Sequence, residues 1–136
     1  MSIRVVGVIL LALIVAAVSG WFAGAAGRSA LEAEQVRSGM RAEFAESRAL
    51  VLEGKVSLFL SNVGNAVQSF QRANVLIARL QQELREMGHV EQAGRLELAA
   101  SNLGDAQRLA ATFDMTGAQA AADQALQALQ AAAGGR

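Results

Sequence analysis

Ser61-Asn62-Val63-Gly64-Asn65 is the stretch on which the fold turns. Before it, Ala42, Ala45, Ala49, Leu52, Val56 and Phe59 follow alternating three- and four-residue steps. After it, Ala66, Phe70, Ala73, Ile77, Leu80, Leu84 and Met87 do the same, and Val63 joins the two runs. Read through without a break, this is the heptad seam of one helix reaching Met87. The N-terminal half of such a helix needs a partner, which points to a coiled-coil oligomer with two returning helices. Read as a break, the five residues gather poor helix formers and good N-cap residues into one turn.

Two later turns are clearer. Met87-Gly88-His89 ends a helix on a C-cap glycine, and Phe113-Asp114-Met115-Thr116-Gly117 ends another while offering Asp114 or Thr116 as the next N-cap. Between them Leu96, Ala99, Leu103, Ala106, Ala110 and Phe113 keep helical spacing, as do Ala118, Ala122, Ala125, Leu129 and Ala132 beyond them. With a break near residue 63, segments 29–60, 66–87, 90–112 and 115–132 form four antiparallel helices of an all-α bundle. The similar lengths of the last three favour this over the continuous helix. Phe44, Leu58, Phe59 and Phe70 are expected in the core rather than on a binding surface.

Composition agrees. The chain of 136 residues lacks Pro, Cys and Tyr and is rich in Ala, Leu, Gln, Glu and Arg, which favours helix throughout. Twelve basic and twelve acidic side chains cancel, so the electrostatic footprint of a nucleic-acid binder is missing. The length holds one membrane anchor and one soluble domain, 1–28 and 29–133, with 134–136 as a disordered tail.

Val5 to Gly27 is 23 residues without a charge, bracketed by Arg4 and Arg28. At about 1.5 Å per residue it crosses a hydrocarbon core of about 30 Å. A cleaved signal peptide is the competing reading, with Ala23-Gly24-Ala25 as cleavage site, but the apolar run outlasts a typical signal core. Trp21 and Phe22 suit the membrane–water boundary. Within the span Ala12, Ala16, Gly20 and Gly24 recur every fourth residue, a candidate face for packing against another transmembrane helix. The short N-terminal tail favours a single-pass protein with its soluble domain outside the cytoplasm, in a bacterium the periplasm. The basic residues Arg28, Arg37 and Arg41 on the second flank weigh against that orientation.

The turns resemble one another. Asn62-Val63-Gly64-Asn65-Ala66 with Phe70 and Ala73, His89-Val90-Glu91-Gln92-Ala93 with Glu97 and Ala100, and Asp114-Met115-Thr116-Gly117-Ala118 with Ala122 and Ala125 share a polar residue, an apolar residue and alanines at fixed offsets. This resembles the second-helix signature of tetratricopeptide repeats and implies protein-binding helical hairpins. The key alanines Ala66, Ala93 and Ala118 stand 27 and 25 residues apart, against a family period of about 34. The family's Trp, Tyr and Pro positions are not filled.

No chemistry stands out. Gly54-Lys55 is the centre of a phosphate-binding loop, but Ala49 replaces its first glycine and Val56 its hydroxyl, and helical spacing runs through it. Glu86-Met87-Gly88-His89 has the E-x-x-H spacing of di-iron bundles, which need two such motifs, and His89 is the only histidine. Glu43 with Glu46 and Glu83 with Glu86 read as solvated helix faces, and Arg79–Glu83 and Glu91–Arg95 as i,i+4 ion pairs. The sequence predicts no catalytic residue, cofactor or metal site. It points to a membrane-tethered scaffold or interaction module that binds a protein partner or itself. The alternatives are an accessory subunit of a larger membrane complex and a secreted helical protein holding a small hydrophobic ligand.

Overall fold

The computed structural model describes residues 3–134, and the side chains of residues 27–134. Four α-helices account for the described residues: α1 (Ile3–Phe59), α2 (Val63–Glu86), α3 (Val90–Ala111) and α4 (Met115–Ala133). The helix does break at the quoted stretch. α1 and α2 are separated by Leu60, Ser61 and Asn62, and Gly64 is already in the first turn of α2.

All three connections use one device. The residue after the first turn position is left-handed in each, with φ of 58° at Ser61, 81° at Gly88 and 62° at Phe113. The amide of the next residue donates five residues back: Asn62 to Ser57, His89 to Leu84 and Asp114 to Leu109, at 2.8, 2.8 and 2.9 Å. The left-handed residue itself donates to the carbonyl three back, which completes a Schellman motif. The residue that closes the motif is also the N-cap of the following helix. Asp114 Oδ1 accepts from Gly117 N at 2.9 Å and Asn62 Oδ1 from Asn65 N at 3.3 Å, whereas His89 makes no side-chain cap bond. The likeness among the turns therefore has a local cause in backbone geometry.

The chain divides into two compact units, Met1–Gly39 and Met40–Arg136. In the first, residues 27–39 of α1 are exposed around the whole helix. The expected span, Val5 to Gly27, lies outside the residues with described side chains except for its last. So do Ala12, Ala16, Gly20 and Gly24, the aromatic pair Trp21 and Phe22, and the alternative cleavage site. Among the described residues no helix is long and apolar enough to cross a membrane. The helical part ends at Ala133 with Gly134 as C-cap, and residues 135–136 lie outside the described residues.

The second unit is a helical bundle with consecutive helices antiparallel. Glu43 and Arg79 pair between α1 and α2, as Gly54 meets Phe70 nearer their junction. Gln81 donates to Ala93 O between α2 and α3, and Gln92 and Arg95 at the start of α3 donate to Ala132 O and Ala131 O at the end of α4. α4 also reaches α1, through a Lys55–Asp123 ion pair and a 2.9 Å bond from Gln119 Nε2 to Lys55 O. The core is graded in size. α2 supplies Phe70, Ile77, Leu80 and Leu84, while α3 and α4 supply mostly alanine, with Leu96, Leu103 and Leu129 between. Small side chains there permit close packing of those two helices.

Candidate interaction face

α1 is apolar on two opposite sides. Its core side consists of Ser47, Leu50, Val51, Gly54 and Leu58, with Met40 and Phe44 partly buried beside them. The heptad residues Ala42, Ala45, Ala49, Leu52, Val56 and Phe59 are all exposed. At about 100° per residue they centre roughly 180° from the core side. The heptad pattern that continues in the sequence from residue 42 to Met87 is split by the turn, as the four-helix reading expected. Its α2 half is buried from Ala66 to Leu84, and its α1 half faces solvent. Leu52 is 43%, Val56 58% and Phe59 84% exposed.

This corrects the expectation for Phe59, which is surface. Phe70 and Leu58 are buried and Phe44 packs partly against the core, as expected. Phe113, at the end of the α3 pattern, is also exposed, because the Schellman turn has already carried the chain away from the α3 axis there. Met87 is exposed for the same reason at the α2–α3 turn.

Charged residues flank the stripe in two rows that the sequence reading passed over. Arg41, Arg48 and Lys55 recur at seven-residue intervals on one edge, and Glu46 and Glu53 on the other. Arg41, Glu46, Arg48 and Glu53 are exposed and enter no ion pair or hydrogen bond among the described residues. Lys55 is engaged by Asp123 of α4. The signal was present as a seven-residue recurrence of basic residues. It gains meaning only once the apolar row between the edges is known to be outward.

The remaining candidate residues are placed as follows. Gly54-Lys55 is inside α1, and Gly54 is buried against the Phe70 ring. Glu86 is the last residue of α2, while His89 follows the left-handed Gly88 and is outside that helix, so the two do not share a helical face. Arg79–Glu83 and Arg95–Glu91 form as expected, at 3.2 and 2.7 Å. Glu43 departs from the expected solvated face: it is half-buried, with Oε1 3.6 Å from Arg79 Nε, and so joins α1 to α2. No protein-family model matches the chain, and no curated protein or solved structure matches it.

Proposed function

We propose that this protein is a membrane-tethered helical scaffold that binds a protein partner through the outward side of α1, and that it is not an enzyme. The observation that carries the reading is the exposed row Leu52, Val56 and Phe59, in heptad register with Ala42, Ala45 and Ala49 and opposite the core. Single exposed apolar residues are ordinary on a protein surface. A continuous helical row of them, edged by charge, is the anatomy of a helix-packing surface. The uncharged segment from Val5 to Gly27 supports a single-pass anchor, and we place the bundle outside the cytoplasm, in the periplasm. The balanced charge speaks against nucleic acid.

The test has two parts. Cells expressing the full chain with a C-terminal tag are fractionated, the mature N-terminus is determined, and the tag is probed with protease in spheroplasts. A membrane-bound chain with an intact N-terminus and an accessible tag is expected; cleavage near Ala25, or a protected tag, overturns the anchor or the orientation. The triple variant Leu52→Gln, Val56→Gln, Phe59→Gln should then keep its thermal unfolding curve and lose its partner in crosslinking, whereas unchanged crosslinking removes the face from consideration.

The small-residue row Ala12, Ala16, Gly20 and Gly24 favours a second reading, an accessory subunit held by its membrane span. Replacing the span with an unrelated one separates the two, because only the accessory subunit would lose its partner.

A further inference from the structure

We infer that the partner of the α1 face is a second copy of this chain, packed parallel and in register from Ala42 to Phe59. The inference rests on reading the chain as an interaction module and names what it binds. In heptad terms Ala42, Ala49 and Val56 occupy the a positions and Ala45, Leu52 and Phe59 the d positions. The flanking g positions are Arg41, Arg48 and Lys55, and the e positions Glu46, Glu53 and Leu60.

Two parallel helices place each g residue beside the e residue five positions further along the partner. That brings Arg41 against Glu46 and Arg48 against Glu53, twice each by symmetry, so every charged pair is of opposite sign. An antiparallel pair brings g to g and e to e, arginine against arginine and glutamate against glutamate. None of the four residues that make the parallel contacts has an ion pair or hydrogen bond among the described residues, so each is free to pair across the seam. Lys55, whose parallel counterpart is the uncharged Leu60, is already satisfied by Asp123.

The architecture permits this contact. The a and d row lies opposite the core side of α1, so the second copy approaches from the side away from α2, while α4 meets the edge of the row at Lys55. Parallel pairing leaves both N-terminal ends on the same side, as two anchors in one membrane require. The row is about 27 Å long at the usual helical rise, and three of its six seam residues are alanine, so the pairing is weak in dilute solution. Tethering to a common membrane raises the effective concentration and compensates.

The chain contains no cysteine, so single introduced cysteines report proximity cleanly. Full-length chains in their membranes, carrying Leu52→Cys, Val56→Cys, Val75→Cys or Leu98→Cys, are oxidised and scored for disulfide-linked homodimer. All four sites are exposed, so folding is retained and is checked by thermal unfolding. The expected result is strong dimer at residues 52 and 56, where parallel seam positions meet themselves within disulfide reach, and little at 75 and 98. Arg48→Glu should lower the yield at residue 56 several-fold, and Arg48→Glu with Glu53→Arg should restore it. Co-expressed Ala45→Cys and Val56→Cys chains should form few mixed dimers.

Equal dimer at all four sites, no rescue by the charge exchange, or a dominant 45–56 adduct overturns the parallel homodimer. Heterologous adducts at 52 and 56 without homodimer also overturn it, while leaving the interaction reading standing. Absence of any adduct at those sites overturns both.

Discussion

Gly54 of α1 lies directly beneath the ring of Phe70 on α2: a Cβ added to Gly54 would stand 2.7 Å from Phe70 Cδ1 and 2.9 Å from Cζ. Phe70 is fully buried, so its ring can give way only by displacing its core neighbours. Alanine is the better helix former by about 1 kcal/mol, yet inserting a methyl into a packed site costs about 1–3 kcal/mol. Gly54→Ala should therefore lower stability, read as a reduced urea midpoint, and Phe70→Leu should relieve part of that loss in the double variant. A more stable Gly54→Ala would show that the close approach is not a constraint.

Ser61 and Phe113 hold left-handed backbone that L residues adopt at a cost of roughly 1–2 kcal/mol. Glycine removes that cost but loses up to about 1 kcal/mol through the unfolded chain. Ser61→Gly and Phe113→Gly should each be neutral to stabilising by up to about 1 kcal/mol, whereas Gly88→Ala should destabilise by a similar amount. Differential scanning calorimetry of the three variants would expose the pattern, and a raised Tm for Gly88→Ala would contradict it.

Asp114 caps α4 through Gly117 N, while His89 leaves the corresponding bond at α3 unmade. Asp114→Ala should cost about 1 kcal/mol, and His89→Ser should add about 0.5–1 kcal/mol by supplying the missing acceptor. Both changes are read from chemical denaturation. Equal effects of the same sign at the two sites would mean that capping does not govern these helix starts.

Ala125 is fully buried on α4, whereas Ala49 faces solvent on α1. Ala125→Leu should lower the unfolding free energy by about 1–3 kcal/mol or prevent folding, because the longer side chain must be forced into a packed core at a fully buried alanine. Ala49→Leu should leave the bundle's stability nearly unchanged. The comparison by thermal unfolding of both variants checks which faces are core.

Much of the architecture was legible because capping chemistry is local. Asn62, Gly88 and Asp114 mark the helix junctions through bonds to residues no more than five positions away, and a linear sequence displays those spacings directly. The buried faces of α3 and α4 were legible too, since one apolar row per helix leaves no choice of side. α1 was different. It carries two rows of nearly equal apolar character, and the one that reads as the better seam, Ala42 to Phe59, is the outer one. The true core row contains Ser47 and Gly54, which hydropathy alone places outside.

The sequence by itself determined the helical class and marked the later two helix junctions, because helix propensity, caps and left-handed turn positions act over a few residues. It left the break near residue 63 open against one continuous helix, and the structure starts α2 at Val63 instead of residue 66 and carries α1 through residue 29 without interruption. Only the tertiary structure decided which side of α1 faces the core. That choice depends on Phe70 fitting over a glycine backbone and on α4 reaching Lys55 and Gln119 reaching its carbonyl, contacts between residues far apart in the chain. No local preference encodes such contacts, and so the outward heptad row with its unpaired charges became visible only once the helices were packed.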